Sequence, residues 1–419
     1  MQFSRFLKSL GPGLLYAGAA VGVSHLVQST RAGASYGFDL VWILLIANVI
    51  KYPFFEFGPR YAIATGNSLI GGYRRLGKWA IVLFALLTIS TMFAIQAAIT
   101  LVTAGLVAHI FQITINITMI CAMILVSSML VLIIGRYSIL DKLIKFIIVI
   151  LALSTVMAVF FAFDIKAEIR PEFIHDFSWK NAMDIAFLIA FFGWMPAPID
   201  VSVWHSLWSV AKRKELQHNT SMHEALLDFR IGYIGTAFLA LGFLTLGALV
   251  MHGTGEELSA QGVVFAGQLI QLYTISLGEA FYWIIAIAAL TTMLSTTLTC
   301  LDAYPRVLRP TTEILFPKLQ DDIRNSIWLS WIWIVVLVAG TLILLGLLSG
   351  TMRFMVDLAT TLSFITAPVL AIMNYKVITD KHIPSEAKPK RWLRIYARAG
   401  IVFLTAFTIL YIIWRFLYL

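Results

Sequence analysis

The sequence predicts an all-α polytopic membrane protein, built as two blocks of five spans with an eleventh span appended. Three observations predict it. Of the 419 residues, 60% are hydrophobic and only 13% are charged, against about 45–50% apolar and about 25% charged in soluble domains. The apolar residues gather into eleven stretches of the length a membrane span needs, about 20 residues. The first and sixth stretches share one defect, a run of helix-breaking residues inside the span. The composition excludes a cytosolic enzyme, a disordered chain, a secreted disulfide scaffold and a nucleic-acid-binding domain. Cys121 and Cys300 both lie in apolar runs. They are too few for a disulfide framework and lack metal-site spacing.

In chain order the predicted spans are 12–30, 38–58, 79–109, 112–134, 140–163, 182–210, 229–252, 277–304, 327–349, 354–375 and 393–417. Residues 1–419 read as one membrane transport domain, with 12–163 and 182–375 as the two five-span repeats and 393–417 as the additional span. The stretches 253–276 and 305–326 read as loops with short helices. The opening MQFSRFLKSLGPG is a short basic lead into the first span, without the marks of a cleaved signal.

Charge gives these spans a direction. Cytoplasmic loops are enriched in Lys and Arg. With the N-terminus in the cytoplasm, the loops 2–3, 4–5, 6–7, 8–9 and 10–11 and the basic lead hold 24 of the 31 basic residues. Six fall on the other side: Arg31, Lys166, Arg170, Lys180, Arg353 and Arg415. Lys51 lies within a span. The net charge of +9 therefore marks loops, and the C-terminus is expected outside.

The paired defect is the strongest functional signal. Span 1 reads GPGLLYAGAAVGVSHLVQST, with small residues from Gly18 to Gly22 followed by Ser24 and His25. Span 6 reads AFLIAFFGWMPAPIDVSVWHSL, with Gly193, Pro196 and Pro198, then Asp200. Each proline removes a backbone donor and clashes with the preceding turn. Such breaks survive at membrane depth only where protein or a cavity satisfies the freed groups. Unwinding is expected around Gly22–His25 and Met195–Asp200. The breaks fall in the first member of each five-span block, as expected for a transport site built on inverted repeats.

The segment GPGLLYAGAAVGVSHLVQSTRAGASYGFDLVWILLIAN resembles the opening of the Nramp family of divalent-metal transporters, in its GPG start and its AGASYG segment. IATGNSL after span 2, and MPAPID and WHS in span 6, continue the likeness. The resemblance implies a leucine-transporter-type fold of five plus five spans with one extra. This chain departs from the family at the site. Where the family has Asp-Pro-Gly-Asn, an ungapped match gives Gly22, Val23, Ser24 and His25. The family's Met-Pro-His falls on Met195 if Met-Pro is matched, or puts Pro198 at the methionine and Asp200 at the histidine if His205-Ser206 is matched. Span 3 carries none of the acids that assist proton movement in the family.

Ionisable groups inside a span are costly and mark function by default. Asp200 is the foremost candidate, with N-capping of the second half of span 6 as its structural alternative. His25 is next, either a packing histidine or a ligand. His205 follows Asp200 by five residues and fits a proton path or a packing contact. Lys51 and Glu56 in span 2 are expected to snorkel to the cytoplasmic end. His25, Asp200 and Met195 form the candidate metal set, since imidazole and thioether suit transition metals. Gly22, Ser24 and Ala197 join them as substrate-binding candidates, with Thr361 of span 10, where the family often has a polar residue. In span 8, Thr291, Thr292, Ser295, Thr296, Thr297 and Thr299 present hydroxyls at helical spacing, and Asp302 adds a carboxylate. Thr296 and Thr297 are the candidates there for a sodium site against span 1, with interhelical hydrogen bonding as the alternative.

Nothing supports enzymatic chemistry. The Gly72–Lys78 run has the spacing of a phosphate-binding loop, but Trp79 replaces its hydroxyl residue. GASYG at 33–37 joins two spans, not a strand and a helix. No cofactor is expected. The predicted function is a secondary transporter carrying a divalent transition metal across a prokaryotic plasma membrane by alternating access, coupled to sodium or protons. The alternative is a sodium- or proton-coupled symporter of a small organic solute. A channel or transport-inactive sensor is a third class.

Overall fold

The computed structural model describes residues 11–134, 137–165, 168–216, 221–319, 323–348 and 350–418. The basic lead with Arg5 and Lys8, and the loop residues Arg136 and Lys166, lie outside the described residues. All eleven predicted stretches are occupied by helix, and no strand occurs among the described residues.

Span 1 is split into α1 (Pro12–Ala20), a π-helical turn (Ser24–Ser29) and α2 (Thr30–Tyr36). Spans 2 and 3 are α3 (Val41–Thr65) and α5 (Lys78–Ile110), joined by the short α4 (Leu69–Leu76). Spans 4 and 5 are α6 (Ile117–Ile134) and α7 (Tyr137–Ala162). Span 6 is split into α8 (Ala182–Trp194) and α9 (Val201–Leu216). Span 7 is α10 (Met222–Val250), and the predicted 7–8 loop helix is α11 (Gly262–Leu277). Spans 8 to 11 are α12 (Tyr282–Leu315), α13 (Ile323–Leu347), α14 (Met352–Thr379) and α15 (Arg391–Tyr418). Seven helices among the described residues are long and apolar enough to cross a membrane uninterrupted. Spans 1 and 6 fall short because each is broken.

Two details differ from expectation. Span 8 runs on through Pro305 and Pro310 to Leu315, where a loop was predicted. Hydroxyls of this extension bond back onto the helix, Thr311 to the Val307 carbonyl and Thr312 to the Leu308 carbonyl. Lys51 does not snorkel. It is fully buried, and its Nζ donates to the carbonyls of Phe192 (2.6 Å) and Gly193 (2.8 Å) at the end of α8. The last carbonyls of a helix have no intrahelical donors, so this cation finds two acceptors inside the bundle.

Helix starts are pinned across the fold. The Asp228 carboxylate on α10 accepts from the Gly13 N–H at 2.7 Å and the Gly11 N–H at 3.3 Å, capping α1. Ser221 and Glu224 form a reciprocal capping box at the head of α10. Where α2 crosses α10, backbones touch. A Cβ added to Gly33 would lie 1.9 Å from the Leu244 carbonyl oxygen, a close approach that only small residues permit between membrane helices. The broken spans are thereby seated in the middle of the bundle, α1 and α2 against α10, α8 against α14, and α9 against α3.

Candidate transport site

The break in span 1 is tighter than predicted. Helical bonding stops at Val21 and Gly22, and the Gly22 carbonyl already accepts from the N–H groups of His25 (3.1 Å) and Leu26 (2.9 Å). Ser24 and His25 therefore stand on the π-helical turn, not on unwound chain. Gly22 is where the backbone meets α12: a Cβ there would fall 2.9 Å from the Thr296 side chain. In span 6 the break covers Met195–Asp200, as predicted. Pro196 and Pro198 supply no N–H groups to continue α8.

The two breaks touch. Ser24 Oγ lies 3.5 Å from the Pro196 carbonyl oxygen, and Ser29 Oγ lies 3.8 Å from the Met195 sulfur. Beside them is a cavity of about 30 Å³ lined by Ala19, Ser24, Ile99, Trp194, Ala197 and Thr296, among others. Its wall is largely apolar. Ser24 and Ala197 thus meet on one cavity from two spans, while Gly22 lies against Thr296 and Met195 against Ser29.

The charged candidates diverge. His25 is fully buried and turned towards α10, with Nε2 2.9 Å from the Thr236 carbonyl oxygen. That carbonyl can only accept, so Nε2 carries a proton, while Nδ1 lies 2.8 Å from Ser24 Oγ, whose single proton is shared with the Ala20 carbonyl at 2.7 Å. Both ring nitrogens are thereby used. Asp200 faces a second, smaller cavity of about 10 Å³, which it lines with Thr88 and Thr91 of α5 and Ser363 and Thr366 of α14. Asp200 is the last residue before α9, and its Oδ1 is buried without a hydrogen-bond partner. His205 is fully buried, stacks on Tyr16 at 5.7 Å, and has neither ring nitrogen hydrogen-bonded. Among the described residues no three or more His, Cys, Asp or Glu side chains are grouped to hold a metal.

The span 8 hydroxyls also split. Thr296 Oγ1 donates to the Thr292 carbonyl at 3.0 Å, with the carbonyl oxygens of Val21 and Gly18 at 3.4 and 3.5 Å across the break. Thr297 Oγ1 is 2.9 Å from Thr103 Oγ1 on α5 and ties those helices together. Thr361 is elsewhere again. It lines a vestibule of about 790 Å³ at the N-terminal ends of α8 and α14 and the C-terminal end of α15.

Three features of the site were missed from sequence. Beneath the vestibule, Arg31 makes a two-pronged pair with Asp357 (2.7 and 3.3 Å), and Gln28 bonds to both. The Arg31 guanidinium lies 4.8 Å from the Phe187 ring centre, so spans 1, 6 and 10 are joined there. Lys51 holds the end of α8. Thr88 and Thr91 share a small cavity with Asp200. Asp357 was readable as an acid within span 10 and Arg31 as a basic residue just past span 1, but nothing local shows that residues so far apart meet.

The whole chain has relatives. The uncharacterized protein PM0681 of Pasteurella multocida (strain Pm70) is 35% identical over 407 residues, 96% of this chain and 92% of that one. The crystal structure of the Eremococcus coleocola manganese transporter superposes with a TM-score of 0.67 at 15% identity, over 98% of this chain and 87% of that one. MHP1, a nucleobase-cation-symport-1 family transporter, superposes with a TM-score of 0.58 at 13% identity, over 97% and 92%. At those identities the likeness is of fold: the leucine-transporter-type arrangement of five plus five spans and an eleventh. The model of the natural resistance-associated macrophage protein-like (Nramp) family matches residues 13–414, both breaks included, and the chain therefore belongs to the Nramp family.

Proposed function

We propose that this chain is a secondary transporter that carries a divalent transition-metal cation across the plasma membrane by alternating access. One observation carries the proposal: the interruptions of spans 1 and 6 meet in mid-bundle, with the Ser24 hydroxyl at the Pro196 carbonyl and the Met195 sulfur at Ser29. Thioether and carbonyl groups are metal donors, and the family and the manganese-transporter fold support a metal cargo. Asp200, at the end of the span 6 break, lies on a neighbouring cavity rather than among these donors. His25, with both nitrogens engaged, holds span 1 against span 7. The Arg31–Asp357 pair closes the way from the vestibule and must part for cargo to descend. The vestibule faces outside, with the N-terminus cytoplasmic and the C-terminus outside; 12–163 and 182–375 are the inverted repeats that rock against each other.

A small organic solute is the second reading. It is favoured by the apolar cavity wall and by the absence of a grouped ligand set among the described residues. Uptake into proteoliposomes decides between them. Manganese or iron uptake that Met195→Ala strongly reduces, with folding intact, is the expected result. Uptake of no divalent metal, with stabilisation of the purified protein by an organic solute, would overturn the metal cargo.

A further inference from the structure

The small cavity at Asp200 is separate from the one between the breaks, and its chemistry is different. We infer that it is a binding site for one monovalent hard cation, sodium, held by Asp200 with the hydroxyls of Thr88, Thr91, Ser363 and Thr366. The geometry supplies the lining. Asp200 is 6% exposed and Thr88 3%, and Asp200 Oδ1 and Thr88 Oγ1 are both buried without hydrogen-bond partners. Two orphaned oxygens on one cavity are unusual, because buried polar atoms are nearly always satisfied.

The remaining hydroxyls are turned to receive a cation. Thr91 Oγ1 donates to the Leu87 carbonyl at 3.0 Å, Ser363 Oγ to the Ala359 carbonyl at 2.9 Å, and Thr366 Oγ1 to the Ser363 carbonyl at 3.1 Å. Their protons are spent on the backbone, so their oxygens are left as acceptors. Ser363 also accepts from Trp194 Nε1 at 2.7 Å, which fixes its position. An anion would find a carboxylate and lone pairs, and is excluded on charge.

Size and charge select the ion. A cavity of about 10 Å³ is near the space of a single water-sized body, roughly 10–15 Å³. One carboxylate with no basic partner among the described residues is balanced by one positive charge, whereas a divalent ion would leave a surplus in a low-dielectric interior. No sulfur or imidazole lines the cavity, so soft metals gain nothing there. Ile95 and Pro198 line both this cavity and the one between the breaks, and Asp200 is the last residue of the span 6 break. An ion here fixes the geometry of the cargo wall. Only that coupling rests on the transport proposal; the binding does not.

The test is radiolabelled sodium binding to the purified chain by scintillation proximity, at constant ionic strength with choline as the replacement. Saturable binding is expected, displaced by unlabelled sodium and not by choline. Asp200→Asn, which keeps the shape of the side chain, should weaken it by about tenfold or more, the equivalent of about 1.4 kcal/mol. Thr88→Val, which keeps the shape, should weaken it by about threefold, in the range of one neutral polar contact. The inference is overturned by absence of saturable binding, by equal displacement with choline, or by full binding in Asp200→Asn, which would move the site elsewhere, Thr296 included. It is also overturned if manganese displaces sodium and Asp200→Asn abolishes binding of both, because Asp200 would then belong to the cargo site. A chain that binds sodium at Asp200 and moves no cargo defeats the transport proposal alone.

Discussion

Replacing Lys51 by methionine tests how the span 6 break is held. Lys51 on α3 reaches 141 positions along the chain to donate to the Phe192 carbonyl, and also reaches that of Gly193. Its ammonium also stands 4.8 Å from the Phe192 ring centre. Methionine preserves length and apolar packing and deletes both hydrogen bonds. The Phe192 carbonyl keeps the Met195 N–H at 3.3 Å, so the Gly193 carbonyl is the one that loses its donor, at about 1–3 kcal/mol, and loss of a cation from a helix C-terminus costs about 0.3–1 kcal/mol more. Relief of the buried ammonium's desolvation offsets part of this, and an unfolded chain still in lipid finds other partners. The net expectation is a loss of about 1–3 kcal/mol, with α8 loosened from α3. The assay is unfolding in detergent or bicelles beside proteoliposome uptake. Lys51→Met should lower both stability and uptake, and Lys51→Arg should recover part of the stability. Parental stability and uptake in Lys51→Met would refute the assignment of this lysine as the clamp on the break.

Two further outcomes are expected. Arg31→Ala and Asp357→Ala should couple in a double-mutant cycle on unfolding by about 1 kcal/mol. That is modest because the Asp357 side chain is 36% exposed, and solvent-exposed pairs yield about 0.2–1 kcal/mol; a coupling of zero would remove the pair as a closure beneath the vestibule. At the end of α14, the hydrogen bond from His382 holds the Asp380 carboxyl below its usual range. A depressed carboxyl contributes stability above its unfolded pKa and loses it as pH falls through the folded one, so Asp380→Asn should differ from the parent near neutral pH and match it by about pH 2–3. A stability difference that persists in strong acid would show that the pair is not the cause.

Much of this protein was legible one segment at a time. Mean hydropathy and run length placed helix in every predicted span, because burying backbone in lipid leaves helices as the one solution available to such runs. The break at Met195–Asp200 was equally local, since Pro196 and Pro198 lack N–H groups wherever they stand. The break in span 1 was found but misplaced by a few residues. Its small residues permit several endings, and contact with Thr296 of α12 decides among them. The predicted course of Lys51 failed for the same reason: whether a lysine snorkels or turns inward depends on free carbonyls on a neighbouring helix, here those at the end of α8. His25 and Asp200 are both ionisable groups beside breaks, and the sequence by itself determined no more than that. Only the packing decided that the imidazole meets the Thr236 carbonyl on α10 while Asp200 shares a small cavity with residues of α5 and α14. A side chain's direction is set by which helices surround it, and that neighbourhood is assembled from residues far apart in the chain.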